Sequence, residues 1–236
     1  MQEQRAEMLR NVTAREKGII KSVYLWMTAA LAVTAGVAYI VASSPNLMKA
    51  LLGGSFGFIL LVVAQFALVF FLSARLDSMS QGSAIGAFFA YAVLNGVMFS
   101  TLFYVYQIAT IYKAFLTAAL MFAGMSVYAM TTKRDLNGWG YYLIVSLWGL
   151  LIASLMNMFF RSSGMDYIIS FIGVFIFMGL TAWDTQKLVR FNDQYGYNMD
   201  EATYTKAGII FALSLYMDFI NLFLYILRLF SRGDRS

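Results

Sequence analysis

Residues 207–227 read AGIIFALSLYMDFINLFLYIL, twenty-one consecutive positions with one carboxylate, Asp218, and no basic side chain. A helix rises 1.5 Å per residue, so a run of this length spans about 30 Å, the thickness of a bilayer's hydrocarbon core. Six further apolar runs precede it, at residues 24–42, 53–74, 82–106, 108–130, 138–160 and 166–186. Backbone exposed to lipid must satisfy its own hydrogen bonds, which leaves helices or closed barrels. Barrel strands alternate in segments of about ten residues, and these runs do not. The expected fold is an all-α integral membrane protein with seven transmembrane helices. Residues 1–21 form a polar N-terminal tail, residues 22–230 the transmembrane domain and residues 231–236 a short C-terminal tail.

Composition agrees. The chain is 61% hydrophobic and 12% charged over 236 residues, whereas a soluble domain carries about a quarter charged residues. It holds neither Cys nor His. Disulfides, thiol nucleophiles, the usual zinc ligands, a Ser-His-Asp triad and the ordinary histidine pH switch are therefore excluded. Proton sensing must fall to carboxylates. The net charge of +5 reads as loop charge on an inserted protein rather than a nucleic-acid footprint, and no resident cofactor is expected. The first run is longer than the 7–15 residues of a signal h-region, which favours an uncleaved span over a cleaved leader.

Orientation follows the Lys and Arg residues of the short loops. One side collects eleven: Arg5, Arg10, Arg15, Lys17, Lys21, Arg75, Lys133, Arg134, Lys187, Arg190 and Lys206. The other collects six: Lys49, Lys113, Arg161, Arg228, Arg232 and Arg235. The N-terminus is thus expected in the cytoplasm, with the polar loop at residues 187–206 on the same side. The basic C-terminal tail then falls outside; re-entry of the last segment, or one misjudged span, would bring it in.

Ionisable side chains inside a span are expensive and mark functional candidates. Asp218 is one: the nearest basic residues in the chain, Lys206 and Arg228, are twelve and ten positions away. It must face the bundle interior, a cavity or a partner. Asp184, near the end of the sixth run, is the second, although a place at the membrane interface beside Lys187 would make it structural. Ser214, Asp218, Asn221 and Tyr225 recur at helical spacing as one polar stripe, suited to a pathway or a tight helix contact. Asn95 and Asn157 read as interhelical glue more readily than as ion ligands. Arg75 ends the second run on the same side as Asp184. It is either a gating partner for that acid or a topology-setting residue facing lipid phosphate.

The motifs Ala182-Trp-Asp184-Thr-Gln-Lys187 and Leu215-Tyr-Met-Asp218-Phe-Ile-Asn221-Leu-Phe223, with the Leu227-Arg-Leu-Phe230 ending, resemble the Bax inhibitor-1 (transmembrane Bax inhibitor motif) family. Thr131-Thr-Lys-Arg-Asp-Leu136 resembles its bacterial members, which implies a bacterial plasma (inner) membrane. The resemblance covers nearly the whole chain. It implies a seven-helix fold whose last helix is enclosed by the other six, and a pH-sensitive calcium leak. It also implies that Asp184 and Asp218 are the proton-sensing pair. Bacterial relatives are associated with restraint of a membrane-bound protease, which would make the chain a non-transporting regulator of another membrane protein.

By hydropathy alone, Asp184 lies about three residues inside the boundary and Asp218 about twelve, a difference in depth of roughly 13 Å. Direct pairing requires the sixth helix to begin deeper or run past Lys187, or the seventh to be displaced or tilted. Oxygen donors suit calcium, and two carboxylates are too few for a tight cage, so binding would be weak and transient, as a leak requires. Two membrane aspartates also suit an intramembrane aspartyl protease. The Gly-x-Gly-Asp and Pro-Ala-Leu elements of such enzymes are missing: Leu215, Tyr216 and Met217 precede Asp218, and no proline follows Pro45. The expected protein is therefore not an enzyme. Its partners are the lipid bilayer, calcium and protons.

Overall fold

A computed structural model of the chain describes the backbone of residues 2–75, 78–195 and 200–233, and their side chains apart from residues 2–17, 55, 56, 73, 201, 232 and 233. Arg5, Arg10, Arg15, Lys17, Gly196, Glu201, Arg232 and Arg235, on which the readings of tails, loop and orientation partly rest, lie outside the described side chains. The described residues form helices and no strand. In chain order these are α1 Gln2–Ala42, α2 Pro45–Leu52, α3 Ser55–Arg75, α4 Gln81–Phe99 and α5 Leu102–Val105. Then follow α6 Ile108–Thr131, α7 Asn137–Phe160, α8 Ser163–Tyr195 and α9 Glu201–Gly233.

Six helices are long and apolar enough to cross a membrane; α2 with α3, bent by 72°, makes a seventh when the pair is taken as one broken span. The chain is an all-α integral membrane protein. Three boundaries differ from the sequence reading. The second span is preceded by α2, which starts as the rules of helix entry require: Pro45 takes the first turn and Ser44 Oγ accepts the Leu47 N–H. The third breaks at Ser100 and Thr101 before the single turn of α5. The sixth does not end at Gln186, because α8 runs on to Tyr195. Most of the expected polar loop at residues 187–206 is helix, with Leu188 and Asn192 buried one turn apart on a face that hydropathy averaging conceals.

The chain forms two compact units, residues 1–105 with 190–216, and residues 106–189 with 217–236. In the first, α1 presents a buried stripe at Ile19, Val23, Met27, Ala30, Thr34, Ala38 and Val41, the spacing of one helix face. It packs on α4 so closely that a Cβ on Gly96 would lie 2.8 Å from the Thr34 carbonyl oxygen. Only glycine permits that approach. Gly82 and Gly86, a glycine pair four residues apart in the same helix, face open space. The Tyr216 ring stands edge-on to Phe88 and Tyr91 at centroid distances of 6.0 and 5.9 Å.

In the second unit, Phe219 of α9 meets Phe115 and Phe122 of α6 edge-on at 5.4 and 5.6 Å, and Tyr225 stacks on Phe177 of α8 at 5.7 Å. Edge-on and offset ring pairs of this kind add about 0.5–1.5 kcal/mol each to the burial. α7 buries only Gly140 and Leu150 and leaves most of its surface, Trp148 and Phe159 included, exposed. It ends where Arg161 turns left-handed (φ 50°, ψ 34°), and Asn157 Oδ1 closes the turn by accepting the Ser162 N–H at 3.0 Å. Asn157 is thus a capping residue. Of the described spans α9 is the most buried: 61% of its apolar window lies inside the protein, against 6% for α7.

Candidate functional site

The acids stand on α8 and α9, within the second unit. Five residues of the Asp184 motif are buried, namely Thr181, Ala182, Asp184, Thr185 and Gln186; Trp183 and Lys187 are half-buried. Thr181 Oγ1 donates to the Phe177 carbonyl of the preceding turn at 2.7 Å, and Thr185 Oγ1 lies 3.5 Å from Ser126 Oγ of α6. Gln186 binds the α6–α7 connection twice. Its Oε1 accepts the Leu136 N–H at 2.8 Å, and its Nε2 donates to the Arg134 carbonyl at 2.9 Å. These bonds leave Asp184 on a helix held by its neighbours on both sides.

Asp184 Oδ1 accepts from Lys187 Nζ at 3.1 Å, one turn along the same helix. The ammonium also lies 4.1 Å from the centroid of the Trp183 ring, close enough for a cation–π contact. That ring fills the space a side chain at Gly140 would need, so α7 approaches α8 only because residue 140 is glycine. Asp218 is 5% exposed, and its Oδ2 has no hydrogen-bond partner among the described residues. An unpaired carboxylate at such depth is costly. A proton or a cation on the carboxyl would relieve that cost. Among the described residues no third acid joins the pair.

α8 continues past Lys187, so Asp184 lies eleven residues before the helix end, and it is 8% exposed. The rest of the stripe is more ordinary. Asn221 donates to the Met217 carbonyl of its own helix at 2.8 Å, and Tyr225 is engaged by Phe177 and by Arg228, whose guanidinium is 5.3 Å from the ring. Ser214 is half-buried. Asn95 likewise bonds its own helix, at the Tyr91 carbonyl. Arg75 is exposed in the last turn of α3, in the first unit. Sequence reasoning gave Trp183 and Gln186 no role and set Lys187 beside Asp184 only as the mark of a structural carboxylate; the two do pair, at 3.1 Å. The signal was present in the three-residue spacing of Asp184 and Lys187, which faces two side chains on one helix.

A helical membrane protein with a buried carboxyl on each of its last two spans is the class that fold and site define. The chain matches the family model described as "Inhibitor of apoptosis-promoting Bax1" over residues 16–235, and it belongs to that family. It is 43% identical to Inner membrane protein YbhL of Escherichia coli K12, over 90% of each chain. An uncharacterized protein of Deinococcus radiodurans is 41% identical over 89% of each, and one of Borreliella burgdorferi 39% identical over 89% of each.

Proposed function

We propose that the chain is a pH-sensitive cation leak, with calcium the transported ion and Asp184 and Asp218 its proton-sensing pair. The observation that supports this reading is Asp218 Oδ2, buried and without a hydrogen-bond partner among the described residues, in the same compact unit as the buried Asp184. Protons and hard cations compete for the same oxygens, so on this reading ion passage depends on pH. With two carboxylates the affinity is weak enough for the ion to leave. On this reading the protein cleaves no peptide and holds no cofactor. The bacterial inner membrane is its place, in keeping with the name of the Escherichia coli relative, with the N-terminus in the cytoplasm. Arg75 is a gating candidate, and a membrane-bound protease is a possible regulatory partner. Liposomes holding only the purified protein test the reading: calcium release is expected. A tight, non-leaking vesicle at every pH would leave regulation of another membrane protein as the function.

A further inference from the structure

Lys187 joins the accessible side of the site to its buried side. Its side chain is 41% exposed, whereas the Asp184 side chain it touches is 11% exposed. The four-carbon stem is flexible, and its ammonium is a compact point charge. It has two seats, Asp184 Oδ1 at 3.1 Å and the Trp183 ring at 4.1 Å, so it can leave the carboxylate without losing every partner. Charge balance adds the reason to leave. Once both acids are deprotonated, one ammonium balances only one of the two carboxylates. Asp218 Oδ2, without a hydrogen-bond partner among the described residues, is then left uncompensated. A divalent ion carries the charge that would balance both.

We propose that Lys187 is a tethered competitor: its ammonium occupies Asp184 as a built-in monovalent cation, and a divalent ion enters the pair only by displacing it towards the Trp183 ring. This rests on the ion-leak reading and adds the residue that sets its apparent affinity. A tethered ligand acts at an effective concentration in the millimolar range, so removing it strengthens binding of any untethered competitor. Arginine at the same place grips a carboxylate through two parallel donors and should hold the site more firmly than lysine.

Terbium(III), a hard oxygen-seeking ion, provides a binding readout that does not depend on transport, because bound terbium is sensitised by a neighbouring indole and Trp183 adjoins the acid. In the full chain, Lys187→Met should bind terbium about tenfold or more tightly than wild type. Lys187→Arg should bind it more weakly than wild type, and Asp184→Asn with Lys187→Met should lose the gain. Calcium efflux from liposomes should half-saturate at lower calcium in Lys187→Met. Equal terbium affinity in wild type, Lys187→Met and Lys187→Arg overturns the proposal. Should Lys187→Met fail to fold, the arginine variant, which keeps the charge, decides alone: affinity equal to or above wild type overturns it. If terbium behaves as expected but no variant passes calcium, the leak reading fails and the competitor stands. If wild type passes calcium with terbium affinity indifferent to residue 187, the reverse holds.

Discussion

Tyr216 donates its hydroxyl proton to Thr34 Oγ1 at 2.7 Å, because the single proton of Thr34 is already given to the Ala92 carbonyl at 2.9 Å. One chain of hydroxyls thereby ties α1, α4 and α9 together two residues before Asp218. All three groups are buried, so the variants should rank by what they orphan. Thr34→Val leaves the Tyr216 hydroxyl without its acceptor and should cost about 1–3 kcal/mol. Tyr216→Phe leaves Thr34 bonded to Ala92 and should cost about 1 kcal/mol. The double variant should be less destabilised than the sum of the two. Thermal unfolding in detergent gives the order, and additive losses would mean the hydroxyls act independently.

Gln186 holds the α6–α7 connection through both ends of its amide. Gln186→Leu keeps the volume and removes both bonds, which are worth about 1 kcal/mol each. Local opening of the connection should rise accordingly, and trypsin should cut after Lys133 or Arg134 about thirtyfold faster. Gln186→Glu retains the acceptor for Leu136 and loses the donor for Arg134, so its rate should fall between. Equal cleavage in all three proteins would show that the connection is held by something else.

Asp200 lies outside the spans and caps the start of α9: Oδ2 accepts the Thr203 N–H at 3.1 Å, and the backbone carbonyl accepts that of Tyr204 at 3.0 Å. Hydrogen bonds from Thr203 hold its carboxyl below the ordinary aspartate value. A depressed carboxylate stabilises above the unfolded value of about 3.9, and the contribution is lost as pH falls through the folded one. Hydrogen exchange at Thr203 and Tyr204 should therefore accelerate on acidification, apart from the intrinsic rate change. Asp200→Asn should keep the cap and lose that dependence, and Asp200→Ala should exchange about fivefold faster at neutral pH. Identical profiles in all three would remove the cap.

The N-terminus and the segment between α8 and α9 should share the cytoplasmic side, from the eleven-to-six imbalance of basic residues. The chain has no cysteine, so single cysteines report cleanly. A membrane-impermeant maleimide applied to intact cells should leave a cysteine at position 10 or 196 unlabelled and should reach both after lysis. Labelling of either from outside would invert the topology.

The spans were legible in the sequence because each is an uninterrupted apolar run with the length of a bilayer, and Asp218 was legible because it interrupts one. The depth of Asp184 was not. Residues 187–195 carry Lys187, Arg190, Asn192, Asp193 and Gln194, so average hydropathy ends the span early, while the buried positions Leu188 and Asn192 continue the helix. The entry to α2 was written in Ser44 and Pro45, but the short stretch between the first two apolar runs was read as loop. The bond between Thr34 and Tyr216, 182 positions apart, leaves no local pattern at all. Nor does the seat of Trp183 at Gly140, since complementarity of shape between two helices has no periodicity to read.

The central claim is that Asp184 and Asp218 act as one proton-sensing unit on the ion path. Asp→Asn at either position keeps the size of the side chain and removes its titration. The direct measurement is calcium efflux from liposomes holding wild type, Asp184→Asn, Asp218→Asn or the double variant, followed from acid to neutral pH. Wild-type efflux should change with pH, each single variant should flatten the response, and the double variant should add little to either. Wild-type pH dependence surviving unchanged in both single variants would contradict the account and leave the two acids as structural residues.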